Sequence, residues 1–189
     1  MASQIFTVPN QLTFLRLAFL PLFIIAVWYE RYDWALGVLA AAAVSDALDG
    51  LLARVLQQKT ALGAYLDPIA DKLLLSSSFL VLALKGKVAW WLTILVFSRD
   101  VIILATSVVI TLVLGTRRFP PSMWGKLTTA AQILLVFTVI ANEVVENSLL
   151  DRAELGLVYL VAALTVTSGI HYSIVIARQL SGHHGETGH

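Results

Sequence analysis

Four aspartates stand within otherwise apolar sequence: Asp46, Asp49, Asp67 and Asp71, spaced three, eighteen and four residues apart. On a helix, spacings of three and four place each pair on one face, with Cβ atoms about 5–6 Å apart. A carboxylate in hydrocarbon is costly enough that a group of four requires a partner, and such a group marks a functional site. Two acidic faces that meet form an all-oxygen cage, the donor set that hard divalent cations such as Mg²⁺ or Mn²⁺ prefer. Gly50 and Ala53 follow one turn apart. They serve either close helix packing or a ligand lying against the backbone. Arg54 either clamps a phosphate bidentately or anchors its helix at the interface. Carboxylates, a divalent cation, a small-residue gap and an arginine together suit a diphosphate ligand and its transfer chemistry.

The elements that must carry these residues are membrane helices. Of 189 residues, 58% are hydrophobic and 13% charged, against about 25% charged in soluble domains, and the mean hydropathy is +0.82. A net charge of +1 gives no footprint for nucleic acid, and the absence of cysteine excludes disulfides and thiolate metal sites. No basic stretch, short apolar run and cleavage site open the chain, so no cleaved leader is expected. Six apolar spans are long enough to cross about 30 Å of hydrocarbon: roughly residues 11–29, 34–56, 67–84, 88–114, 126–142 and 155–176. Period-two alternation is absent, which excludes barrel strands. The expectation is an all-α bundle of six transmembrane helices, one domain over residues 1–180, with a polar, disordered tail at 181–189.

Loop charges set the orientation. With the N-terminus inside, Lys59, Arg117, Arg118, Lys126 and Arg178 fall on the cytoplasmic side, and Arg31, Lys85, Lys87 and Arg152 outside. Trp28, Tyr29, Tyr32, Trp34, Trp90 and Trp91 then form an outer aromatic belt. Both termini are cytoplasmic, and the aspartates converge near the cytoplasmic face: Asp46 and Asp49 late in the second span, Asp67 and Asp71 opening the third. Ion-coupled transporters keep their sites nearer mid-membrane. A carboxylate relay for ions is the rival reading, but it gives no role to Gly50, Ala53 and Arg54.

The pattern D-x2-D-G-x2-A-R-x8-G-x3-D-x3-D is complete in Asp46, Asp49, Gly50, Ala53, Arg54, Gly63, Asp67 and Asp71. It resembles the signature of the CDP-alcohol phosphotransferases, integral membrane enzymes of phospholipid synthesis. The opening Pro9-Asn10-x-x-Thr13-x-x-Arg16 is similar to that of the family's bacterial members. The resemblance implies six helices, a homodimer, and two divalent cations (Mg²⁺ or Mn²⁺) at the cytoplasmic end of a bacterial inner-membrane protein. Carried over, Asp46, Asp49 and Asp67 are metal ligands, and Asp71 borders or ligates the metals and acts as general base. Asp49, Gly50, Ala53, Arg54 and Gly63 line the CDP site. Asn10 and Thr13 either touch the CDP moiety or cap and anchor the first helix with Arg16.

Within the family, the chain most resembles the phosphatidylglycerophosphate synthases and the cardiolipin synthases that use CDP-diacylglycerol. Residues 65–72, Tyr-Leu-Asp-Pro-Ile-Ala-Asp-Lys, are similar to both. Ser98-Arg99-Asp100 resembles an Arg-acid pair of both, and Asp100 in place of Glu leans to the cardiolipin type. Residues 125–132 resemble a Gly-Lys-x-Lys-Thr-x-x-Gln segment of the glycerophosphate-using enzymes but depart from it at Thr128. Glycerol 3-phosphate, a small dianion, needs cations, and Arg99, Lys126, Arg117 and Arg118 are the candidates. Arg99 is alternatively held in a salt bridge, with Asp100 among its partners, and the other three are alternatively positive-inside anchors. The expected reaction transfers the phosphatidyl group of CDP-diacylglycerol to glycerol 3-phosphate with release of CMP, with phosphatidylglycerol as the rival acceptor. His171 and Tyr172 are expected to pack, and Asn142 and Glu143 to face solvent at the outer edge.

Overall fold

In the computed structural model the described residues form six α-helices: α1 (Val8–Trp28), α2 (Tyr32–Leu56), α3 (Ala61–Leu84), α4 (Trp90–Leu114), α5 (Met123–Val145) and α6 (Ser148–His183). The structure describes the backbone of residues 8–56, 61–114 and 123–183, and side chains over 17–48, 72–105 and 123–172 together with Leu15 and Ile174. Among the described residues there is no strand. The chain divides into two compact units, one of Met1–Val88 and Val136–Asp151, the other of Ala89–Leu135 and Arg152–His189.

In the first unit, α1 packs against both α2 and α3. Its core holds Phe23, Val27, Phe79 and Leu82, all with no exposed surface. The helix ends explain the tight connections. After α1, Glu30 adopts φ 58, and Arg31 N donates to Ala26 O at 2.8 Å while Glu30 N donates to Val27 O at 3.0 Å. After α3, Gly86 at φ 71 closes the same motif through Lys87 N to Leu82 O and Gly86 N to Ala83 O. This Schellman arrangement satisfies the terminal carbonyls and needs a left-handed residue, which glycine adopts without Cβ strain. Asn147 caps α6 by accepting from Leu149 N at 2.9 Å.

Charges at these ends are paired rather than simply solvated. Lys85 Nζ binds Glu30 at 2.9 Å and lies 5.5 Å from the Trp28 ring. Lys87 Nζ binds Glu143 and lies 5.5 Å from the Tyr32 ring. Glu143 is therefore half-buried in an ion pair, and Asn142 donates to Asp151 at 2.8 Å. Facing solvent was the wrong reading for Glu143, because the loop after α3 brings a lysine to it across 56 residues of sequence.

Several helix limits also differ from the sequence reading. The third helix begins at Ala61, so Asp67 and Asp71 lie well inside it and Gly63 and Pro68 are helical. Hydrocarbon leaves no water for a broken backbone, and neighbouring helices make glycine and proline tolerable there. The last helix runs from Ser148 to His183, so Ser181 to His183 are helical, and the rest of the tail lies outside the described residues.

Among the described residues two helices are long and apolar enough to cross a membrane, Met123–Val145 and Ser148–Tyr172, with mean hydropathies of 1.6 and 1.7. Only 17% of the second span is buried, unlike the core helix of a soluble protein. Trp28, Tyr29, Trp34, Trp90 and Trp91, placed in the expected belt, are all about half exposed or more.

Candidate active site

The aspartates divide between two neighbours of α1. Asp46 and Asp49 are on α2, Asp67 and Asp71 on α3, and Asn10 and Thr13 open α1 itself. Continuous helical backbone through 46–49 and 67–71 gives each pair the common face that its spacing demands. Asp46 is exposed on α2. The side chains of Asp49, Asp67, Asp71, Gly50, Ala53, Arg54, Gly63, Asn10 and Thr13 lie outside the described residues. Among the described residues no three acidic or histidine side chains gather for a metal. The donor chemistry of this set, four carboxylates on two helices that both pack on α1, fits hard divalent cations.

The second unit holds Arg99 and Lys126, while Arg117 and Arg118 lie outside the described residues. Arg99 is 6% exposed on α4. Its Nη1 donates to Asp100 Oδ1 at 2.9 Å and its Nη2 to Ser168 Oγ of α6 at 3.2 Å. The salt bridge considered for Arg99 is thus formed. Ser168 is the partner that sequence reasoning missed. The signal was the polar run Thr165-Val-Thr-Ser168 in an apolar helix, which no spacing rule connects to α4. Nε of Arg99, Nε2 of Gln132 and Oγ1 of Thr165 are buried with no hydrogen-bond partner among the described groups.

Thr128, the departure from the glycerophosphate-type segment, is fully buried. Its hydroxyl lies 2.8 Å from Trp124 O and 3.3 Å from Leu164 O, bonding α5 to α6. The position faces a neighbouring helix rather than an open pocket. Trp124 and Lys126, in the first turn of α5, are exposed.

An all-helical chain with two apolar helices of membrane-spanning length and aspartate pairs on two helices that pack on α1 sets the class, a helical membrane protein, and comparison narrows it. Residues 6–171 match the family model described as CDP-alcohol phosphatidyltransferase. A probable phosphatidylglycerophosphate synthase of Mycobacterium tuberculosis is 32% identical over 95% of this chain and 86% of its own length. A CDP-diacylglycerol–glycerol-3-phosphate 3-phosphatidyltransferase of Haemophilus influenzae is 34% identical over 88% and 91%. A CMP-forming cardiolipin synthase of Rattus norvegicus is 32% identical over 87% of this chain but 59% of its own length. The chain belongs to the CDP-alcohol phosphatidyltransferase family. It is an enzyme, a transferase of phospholipid biosynthesis, and the ion-relay reading is set aside.

Proposed function

We propose that the chain transfers the phosphatidyl group of CDP-diacylglycerol to glycerol 3-phosphate. The eight fixed residues from Asp46 to Asp71 carry the reading. The choice of acceptor is supported by relatives with glycerophosphate-type names that match over 86% and 91% of their length. Asp46, Asp49, Asp67 and Asp71 would hold two Mg²⁺ or Mn²⁺ ions, which when bound neutralise the diphosphate and stabilise departing CMP. Asp49, Gly50, Ala53, Arg54 and Gly63, with Asn10 and Thr13, bind the CDP end: the small residues let it approach the helix and Arg54 grips a phosphate.

Asp71 accepts the proton of the acceptor hydroxyl. That oxygen attacks the phosphorus bearing diacylglycerol, the bond to the CMP oxygen breaks, and CMP leaves with the electron pair. The displacement is direct, so a trapped phosphatidyl-enzyme adduct would contradict it. Lys126, Arg117, Arg118 and Arg99 attract the acceptor's phosphate. Lys126 contributes most, since both terminal nitrogens of Arg99 are already bonded. The catalytic end faces the cytoplasm of a bacterial inner membrane, both termini are cytoplasmic, and the protein works as a homodimer.

Phosphatidylglycerol is the second reading, favoured by buried Thr128 where the glycerophosphate-type segment has lysine. Purified protein is given labelled CDP-diacylglycerol with Mg²⁺ or Mn²⁺, and glycerol 3-phosphate, phosphatidylglycerol, inositol phosphate and serine in parallel. Alcohol-dependent CMP release with glycerol 3-phosphate alone is the expected result. Release with phosphatidylglycerol alone makes it a cardiolipin synthase.

A further inference from the structure

Ser168 of α6 has no exposed surface, and its hydroxyl is met by a cation from another helix. Arg99 Nη2 donates to Ser168 Oγ at 3.2 Å, while Arg99 Nη1 donates to Asp100 Oδ1 at 2.9 Å. The two partners pull in different directions. Asp100 is the next residue of α4, about 100° further round the helix axis. Ser168 stands on α6, so its bond draws the guanidinium into the seam between α4 and α6. Arg99 and Ser98 line a groove of about 670 Å³ along that seam.

A guanidinium is planar and carries its donors in a fixed fork. A bond to one terminal nitrogen leaves that plane free to turn; bonds to both define it. Each terminal nitrogen has two N–H groups, so each keeps one beyond its bond to Asp100 or Ser168. Nε is enclosed, and contact with a ligand therefore falls to the terminal nitrogens. Serine orients the fork without adding charge. A carboxylate in its place would also hold the arginine, but two negative charges beside one guanidinium would repel an anionic ligand. Alanine would leave a buried donor unmatched.

We propose that Ser168 is a positioning residue for the acceptor: it fixes the plane of the Arg99 guanidinium so that the remaining N–H groups meet the acceptor's phosphate. Lys126 supplies the larger attraction and Arg99 the direction. The role rests on the proposed transfer to a phosphate-bearing alcohol, and it is the same for glycerol 3-phosphate and for phosphatidylglycerol.

The test measures steady-state CMP release by the full chain in mixed micelles with Mg²⁺, and takes a KM for each substrate. If release by the unaltered chain depends on neither glycerol 3-phosphate nor phosphatidylglycerol, the transfer reading fails and the positioning role falls with it. With the working acceptor, Ser168→Ala is expected to raise the acceptor KM about tenfold, leaving kcat and the KM for CDP-diacylglycerol unchanged. Ser168→Thr keeps the hydroxyl and should keep the acceptor KM. In an Arg99→Met background Ser168→Ala should add nothing, because its effect runs through the guanidinium. Three results overturn the proposal while leaving the transfer reading intact: a lower thermal midpoint with an unchanged acceptor KM, an equal rise in both KM values, or a rise that persists without Arg99. Should Ser168→Ala fail to fold, Ser168→Cys, which keeps the volume but is a weak acceptor, gives the same comparison.

Discussion

Asp71→Asn keeps the shape of the side chain and removes its capacity to take a proton. As the proposed general base, it should lose about 10²–10⁴ in kcat, while binding of CDP-diacylglycerol, followed by tryptophan fluorescence, stays within a few-fold. Full turnover in this variant removes Asp71 from the mechanism. Arg99 yields a different result. Arg99→Met takes away a cationic partner of the Asp100 carboxylate and should cost about 3 kcal/mol in unfolding of the detergent-solubilised protein, and Arg99→Met with Asp100→Leu should recover part of it. The aspartate pattern was legible because its chemistry is local: spacings of three and four need only a helix to become a face. Arg99's bond to Ser168 was not, because the two residues are 69 apart in sequence and meet only when α4 packs on α6.

Helices were largely readable from apolar length, since backbone in lipid has few alternatives to a helix. Their ends were not: α3 begins at Ala61 rather than near residue 67, with Gly63 and Pro68 inside it. Where an end is fixed by conformation the consequence can be tested. Gly86→Ala places a Cβ at φ 71 and should cost about 1–2 kcal/mol, read as a lower midpoint in thermal unfolding. The loop that begins there also carries a pH signature. The hydrogen bond to Glu143 raises the Lys87 amine above its ordinary 10.5. A raised value means that its stabilisation is complete below pH 10.5 and fades as pH climbs through the folded value. The Lys85 ammonium lowers the Glu30 carboxyl below 4.5, so that contribution is complete above pH 4.5 and disappears as pH falls through the depressed value. Lys87→Met should flatten the alkaline limb of a stability profile and Lys85→Met the acid limb. A single variant that flattened both would contradict this division.

At the scale of the whole molecule, orientation is the open proposal, and the natural lack of cysteine makes it simple to test. Single cysteines replacing Lys59 or Arg178 should react with an impermeant thiol reagent only in inside-out vesicles, and those replacing Arg31 or Arg152 only in right-side-out vesicles. The opposite pattern would put the aspartates on the external face and separate them from a cytoplasmic nucleotide. Composition and spacing by themselves determined the apolar helical character and the family, because each depends on a few neighbouring residues and on the solvent around them. Tertiary structure alone decided that α1 packs on both aspartate-bearing helices, that Glu143 receives Lys87, and that Arg99 reaches Ser168. Those contacts join residues far apart in the chain, and only packed helices bring them within hydrogen-bonding distance.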